Sequence, residues 1–499
     1  MAQPSVMPHD KEKQPARFNR LWAVFSYGFA TALPRLSGAI LALLYTSVFS
    51  LEEYGAFGVL SVTILPLSAL MDMGNLQAIM RNYYDHQHDW NTARRFLANV
   101  IFSSDVVALL IFPLLVTGLY FSWDFFDLES NHVLFYVTIV VGIALLDRSV
   151  TMLSVVLRVV ERPYEYAWGP IADSVTSIAC GILFVIVLDW GVMGAMLAAG
   201  AGRLVSFIVH RAIVQFRLNI RGGHMDWTQI QGCFSFGLPL LLAQLANWVR
   251  ESGLRPILAL VAPLGSIGLF SLASSIASLP LLASVAIDMA LSPYYLKQRT
   301  SQSKDFERRM YEFGAIFLAV LAPIWAALIL FSVEFIGFFA SERYAAAAPI
   351  CSILLCASFA RMQQPFFIRQ LHYLRRTWLQ SSLTIPLALC SISISVILTA
   401  NFGILYAAWG VLVIEFGCLI GFGLIISRFE SLHYPMLRST CLLAALSLMA
   451  LANMWEIWAP LTSTEVILGK LLILATVTIF SVTVWIWPKR QFIAAVISR

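Results

Sequence analysis

Apolar runs of bilayer-crossing length recur along almost the whole chain. A membrane helix needs about 20 mostly apolar residues. Runs of that kind, separated by charged or turn-rich stretches, lie near 21–48, 55–79, 96–120, 133–157, 165–188, 191–214, 232–260, 265–291, 310–332, 346–369, 379–399, 403–427, 438–454 and 464–487. The pattern predicts an all-α integral membrane protein with about fourteen transmembrane helices. The joins at 188–191 and 399–403 are short enough to force helical hairpins. Composition agrees, because only 12% of the 499 residues are charged, against about a quarter in a soluble domain.

Charge placement orients the chain. Lys11, Lys13, Arg17 and Arg20 put the N-terminus on the cytoplasmic side. With fourteen spans, the basic loops near 81–95, 158–164, 215–231, 292–309, 370–378 and 428–437 share that side with the C-terminus. Arg343 is the one basic residue assigned outside, where Glu52, Glu53, Asp124, Asp127, Glu129, Glu342 and Glu465 gather. The polar first twenty residues lack a cleavable apolar core, so the first span is expected to act as an uncleaved insertion signal. All seven cysteines fall in or at the edge of spans and read as small packing residues.

The loops are too short for a soluble catalytic or nucleotide-binding domain. No P-loop, HExxH or GxSxG pattern occurs. No cofactor, metal or nucleic acid is expected. The stretch Asp85-His86-Gln87-His88-Asp89 is read as a solvated loop rather than a metal site.

Ionisable residues inside spans are costly unless they face a partner or water. The basic ones are Arg35, Arg148, Arg203, Arg250, Arg255, Arg361 and Lys470; the acidic ones are Asp72, Asp105, Asp147, Asp173, Glu251, Asp288 and Glu415. Several lie on polar stripes at helical spacing: Tyr27, Thr31 and Arg35; Ser61, Ser68, Asp72 and Asn75; Asp147, Thr151, Ser154 and Arg158; Gln244, Asn247, Glu251 and Arg255. At 100° per residue, Glu251 and Arg255 come within ion-pairing reach, whereas the adjacent Asp147 and Arg148 point apart. Asp105, Asp173, Arg203, Glu415 and Lys470 read as packing or edge residues. Trp123, Trp168, Trp190, Trp455 and Trp458 read as interface anchors, and Gly417-x-x-x-Gly421 as a close-packing motif.

A shift of 213 positions superposes Gly55 on Gly268, Phe57 on Phe270, Ser61 on Ser274 and Arg148 on Arg361. Two parallel six-helix halves follow. The expected divisions are a cytoplasmic segment 1–20, an N-lobe 21–215, a cytoplasmic linker 216–231, a C-lobe 232–428, an added helix pair 429–488 and a cytoplasmic tail 489–499.

Leu51-Glu52-Glu53-Tyr54-Gly55 after the first span resembles a turn of Wzx-type polysaccharide flippases. So do Met71-Asp72-Met73-Gly74-Asn75-Leu76-Gln77-Ala78-Ile79-Met80-Arg81 at the end of the second, Leu264-Gly265-Ser266-Ile267-Gly268-Leu269-Phe270-Ser271-Leu272-Ala273, and Ser292-Pro293. The resemblance implies two six-helix bundles around a central cavity lined by helices 1, 2, 4, 7, 8 and 10. Five of the seven intramembrane basic residues fall on those helices.

It further implies a bacterial inner-membrane flippase, expected as a monomer beside a polysaccharide polymerase or assembly complex. Its substrate would be a polyprenyl-diphosphate oligosaccharide. Arg35, Arg148 and Arg361, then Arg250 and Arg255, are the expected ligands of diphosphate or sugar, since guanidinium forks match such oxygens. Asp72, Asp288, Glu251 and Asp147 are the expected ion-coupling acids. The alternatives are a cation-coupled multidrug extruder of the same superfamily and a membrane-embedded glycan polymerase.

Overall fold

The computed structural model describes residues 17–76, 79–80, 83, 89–121, 123, 133–225, 231, 241–242, 244–282, 306–373, 377–429, 434–454 and 463–481. Among them, ten helices are long and apolar enough to cross a membrane. The chain forms two compact units, Met1–Gly268 and Leu269–Arg499.

In the first unit, α1 (Arg17–Tyr45), α2 (Leu51–Asp72), α3 (Trp90–Phe121), α4 (Val133–Val159), α5 (Pro163–Gly181) and α6 (Gly191–Ala212) match the six expected spans. Local chemistry starts and stops them. Ser50 caps α2: its hydroxyl accepts the Glu53 N–H at 3.1 Å, and the Glu53 carboxylate accepts the Ser50 N–H at 2.8 Å. The second span was expected to run to 79, but α2 ends at Asp72. Met73 and Gly74 turn left-handed there, with φ of 49° and 84°. π-helical turns, Ile182–Val187 and Ile213–Arg217, extend α5 and α6. The hairpin between them is as short as its spacing required, and Trp190 stacks on Phe184 at 5.1 Å. Trp123, expected as an interface anchor, instead turns inward and is buried beside Tyr136. Trp168 and Trp190 are exposed.

The seventh span was expected as one helix over 232–260. Its described part is broken by a π-helical turn, Val249–Gly253, before the short α7 (Leu254–Leu258). The following α8 (Leu264–Ser278) begins in the first unit.

The second unit contains α9 (Phe306–Leu330), α10 (Ser332–Phe339), α11 (Ala347–Arg361), α12 (Gln364–Tyr373), α13 (Thr377–Phe402), α14 (Ile404–Ser427), α15 (Met436–Met454) and α16 (Ser463–Phe480). The tenth span, expected as one helix over 346–369, divides into α11 and α12. Pro365, in the first turn of α12, has no N–H to give the Arg361 carbonyl, so the helical hydrogen bonding cannot run through. The Gln363 amide stabilises the break, donating to the Phe359 carbonyl at 2.8 Å and accepting from the hydroxyls of Tyr434 and Ser439. Gly403, at φ 96°, closes the predicted hairpin between α13 and α14. Of the suspected close-packing pair, Gly421 meets Leu383, while Gly417 faces open space. The segments expected at 232–260, 265–291 and 464–487 run partly outside the described residues, as do Trp455, Trp458 and most of the histidine-rich loop.

A reciprocal contact joins the starts of α2 and α8. A Cβ on Gly55 would lie 2.0 Å from the Leu264 carbonyl oxygen, and one on Gly268 would lie 2.2 Å from that of Leu51. These are the two glycines that the internal repeat superposes. Backbone lies on both sides, so neither neighbour can yield by turning a side chain. Gly55→Ala and Gly268→Ala are each expected to destabilise the protein by ~1–3 kcal/mol through overpacking. Thermal unfolding of the purified variants in detergent checks this, and wild-type melting of both would refute the contact.

Candidate functional site

The spans carry several charged side chains, and α4 bears two of them in succession. Asp147 and Arg148 point to different sides of that helix, as their spacing predicts, and each enters its own network.

Arg148 is fully buried. Its Nη1 donates to Asp105 Oδ1 on α3 at 2.5 Å, and its Nη2 donates to the Ser104 hydroxyl. Ser104 also accepts from Asn75 Nδ2 at 3.2 Å, and the same amide donates to the Asp72 carbonyl at 2.7 Å. Asp72, buried where α2 ends, accepts the Leu76 N–H on Oδ2 at 3.2 Å; its Oδ1 has no partner among the described residues.

Asp147 turns the other way, to Arg203 on α6. Arg203 Nε lies 3.2 Å from Asp147 Oδ1, and Nη1 donates to Asp173 Oδ2 on α5 at 2.8 Å. Ser177 donates to the second Asp173 oxygen at 3.3 Å. Gly202 lets α5 and α6 approach, since a Cβ there would lie 2.5 Å from Asp173 Oδ1.

Arg35 and Thr31 share a face of α1, with Thr31 3.3 Å from the Tyr166 hydroxyl. Arg35 itself is exposed and makes no hydrogen bond or ion pair among the described residues. The Glu251–Arg255 ion pair that the spacing allows does not form among the described residues. Glu251 lies inside the π-helical turn and is exposed, while Arg255 follows on α7 and is half-buried. Arg250 is buried within that turn. Just before it, the Trp248 indole N–H donates to the Val62 carbonyl at 2.9 Å.

In the second unit, Arg361 ends α11 and donates through Nε and Nη2 to Glu415 Oε1 on α14, at 3.2 and 2.7 Å. Gln364 donates to the other Glu415 oxygen at 2.6 Å. Lys470 on α16 donates to Glu334 on α10 at 2.6 Å. Asp288 lies outside the described residues.

Five residues read from sequence as packing or edge positions therefore do something else. Asp105, Asp173, Arg203, Glu415 and Lys470 are ion-pair partners of other charges in or beside the spans. The available signal was the cost of any unpaired charge in a membrane span. It shows that partners are needed without saying which.

A family model described as polysaccharide biosynthesis protein matches residues 22–299. Among solved structures, the chain resembles the lipid II flippase MurJ in an inward closed conformation, with TM-score 0.69 and 16% identity, covering 94% of this chain and 99% of that one. It also resembles an inward-facing multidrug resistance transporter of the MATE family in the MOP superfamily, with TM-score 0.63, 15% identity, and 85% and 98% of the two chains covered. The VcmN MATE transporter of Vibrio cholerae matches with TM-score 0.55, 14% identity, and coverage of 83% and 99%. At these identities the likeness is one of fold. No curated protein matches the sequence.

Removing one member of a buried ion pair leaves the other uncompensated, a loss of ~3–5 kcal/mol. Arg361→Ala is therefore expected to lower the melting temperature sharply. The double change Arg361→Met with Glu415→Leu should recover most of that loss. A double-mutant cycle in which the two single effects simply add would show that the pair does not hold α11 to α14.

Proposed function

The chain belongs to the polysaccharide biosynthesis protein family and has a transporter fold of the MOP superfamily, and from that premise we propose that it is a flippase for lipid-linked oligosaccharides. It moves a polyprenyl-diphosphate oligosaccharide from the cytoplasmic to the periplasmic leaflet of the bacterial inner membrane, by alternating access. The product feeds a polymerase or assembly complex for O-antigen, capsule or exopolysaccharide. The chain works as a monomer with both termini in the cytoplasm. No bond is made or broken.

The physical task is the headgroup, because a diphosphate bearing sugars cannot enter hydrocarbon unaided. The observation that carries the reading is the division of the intramembrane arginines into two sets. Arg148, Arg203 and Arg361 are committed to carboxylates. Arg35 and Arg255 make no ion pair among the described residues. A guanidinium in a membrane span without a counter-ion is costly unless an anion or water meets it, and the diphosphate or acidic sugars of the substrate supply that anion. Arg35 and Arg255 therefore act as the headgroup ligands, with Arg250, in the π-helical turn before Arg255, as a further one. Arg148 instead ties α4 to α3, and Arg361 ties α11 to α14. Transport is coupled to a cation through an acid of the spans, for which Asp72, Asp147, Glu251 and Asp288 are the candidates.

Cells depleted of the protein are expected to accumulate lipid-linked oligosaccharide on the cytoplasmic leaflet, shielded from an impermeant probe of the outer face. Accumulation exposed to the probe would move the assignment to a polymerase. No accumulation, together with sensitivity to cationic drugs, would move it to a drug extruder. In complemented cells, Arg35→Lys keeps the charge but loses the planar fork, and export should fall about tenfold or more, the scale of one lost charge-assisted hydrogen bond. Wild-type export from Arg35→Lys would remove that residue from the site.

A further inference from the structure

A proline inside a helix leaves the carbonyl four residues before it without an intrahelical donor. In a membrane span that carbonyl is stabilised when a neighbouring helix supplies one. Two such carbonyls in the first unit are met by a ring N–H. Pro170 in α5 frees the Tyr166 carbonyl, which accepts from His210 Nε2 on α6 at 3.1 Å. Gly169 makes room for that ring, since a Cβ there would lie 2.1 Å from His210 Cε1. Pro66 in α2 frees the Val62 carbonyl, and the Trp248 indole N–H donates to it at 2.9 Å. Here Gly253 makes the room, because its Cβ would lie 2.9 Å from Trp248 Cε3.

The two joints differ in what they hold. His210 is fully buried where α5 and α6 pack. Trp248 is half-buried and immediately precedes the π-helical turn Val249–Gly253. Its ring is therefore fixed at both ends of that turn, by Val62 where the turn begins and against Gly253 where it closes. The turn carries Arg250, Arg255 follows two residues after Gly253, and α2 packs against both the turn and α7.

We infer that Trp248 is the positioning residue of this arginine-bearing turn, hung on the Val62 carbonyl that Pro66 vacates, and that the joint sets where Arg250 and Arg255 stand against α2. The inference deepens the headgroup part of the function proposed above and rests on it for what those arginines bind.

A guanidinium fork recognises phosphate oxygens directionally, so a turn that departs from α-helical geometry needs a fixed point if its arginines are to be aimed. Pro66 makes the point a firm one. No N–H of α2 can return to the Val62 carbonyl, so losing the indole leaves an acceptor unmet, which costs more than exchanging one bond for another. Pro66→Ala restores an intrahelical donor to that carbonyl, and the indole N–H then becomes dispensable.

The test is a double-mutant cycle on the full chain in nanodiscs, with two readouts. Without ligand, backbone hydrogen exchange over 249–258 should accelerate about tenfold in Trp248→Phe, which keeps an aromatic ring but loses the N–H. In a Pro66→Ala background the same change should accelerate it less than about twofold, since the carbonyl keeps a partner. The second readout is binding of farnesyl diphosphate, a short polyprenyl diphosphate. Trp248→Phe should weaken it about tenfold, and should have no effect once Arg250→Gln and Arg255→Gln have removed the aimed groups. Gly253→Ala keeps the indole but displaces its ring, and should reproduce both results; this arm stands if Trp248→Phe fails to fold. Unchanged exchange in Trp248→Phe, or equal acceleration in both proline backgrounds, would overturn the inference. So would an equal loss of affinity with and without the two arginines. Accelerated exchange in a chain whose wild type does not bind farnesyl diphosphate would uphold the joint and count against the headgroup assignment instead.

Discussion

A charge placed among apolar helices must find its opposite within a few ångströms or lose several kcal/mol, and the arrangement of this protein follows from that requirement. Arg148 is the clearest case. Its guanidinium is sealed from solvent, so α3 must present Asp105 and Ser104 at one register and one rotation. Ser104 in turn fixes Asn75, and Asn75 fixes the end of α2. Arg203 binds α4, α5 and α6 in the same way, and Arg361 binds α11 to α14. Lipid-facing apolar surface cannot specify helix rotation, because lipid tails are as apolar as leucine. The ion pairs can.

Breaks in the helices bring polar groups to membrane depth. α2 stops at Asp72, the seventh span opens into a π-helical turn at Arg250 and Glu251, and the tenth span divides just after Arg361. In each place an ionisable side chain lies at or beside a departure from α-helical geometry. Irregular backbone at membrane depth needs polar company, and the side chains of Asp72, Asn75 and Gln363 provide it by bonding the freed main chain. The same polar groups that satisfy the backbone are therefore the ones available to meet protons and anions.

Some of this was legible in the amino-acid order. The hairpins at 188–191 and 399–403 followed from spacing alone, as did the opposed directions of Asp147 and Arg148. The repeat pairs Gly55 with Gly268, the two residues that meet in the reciprocal contact. Elsewhere the packed structure departs from the local pattern. Glu251 and Arg255 have a spacing that allows a pair, but one lies exposed in a π-helical turn and the other half-buried on the helix after it. Trp123 has the position of an interface anchor, but packs inward beside Tyr136.

The sequence by itself determined that the chain crosses a membrane many times and where charges enter the spans, because both depend on runs of neighbouring residues. Only the tertiary structure decided which charges are spent on one another. Arg148 and Asp105 lie 43 positions apart, and Arg361 and Glu415 54. Their meeting depends on how separate helices are rotated and packed, which no local pattern encodes. Arg35 and Arg148 look alike in a hydropathy plot. Packing leaves the first exposed on its helix and encloses the second, fully neutralised, inside the bundle, because a buried guanidinium persists only where neighbouring helices bring it a carboxylate.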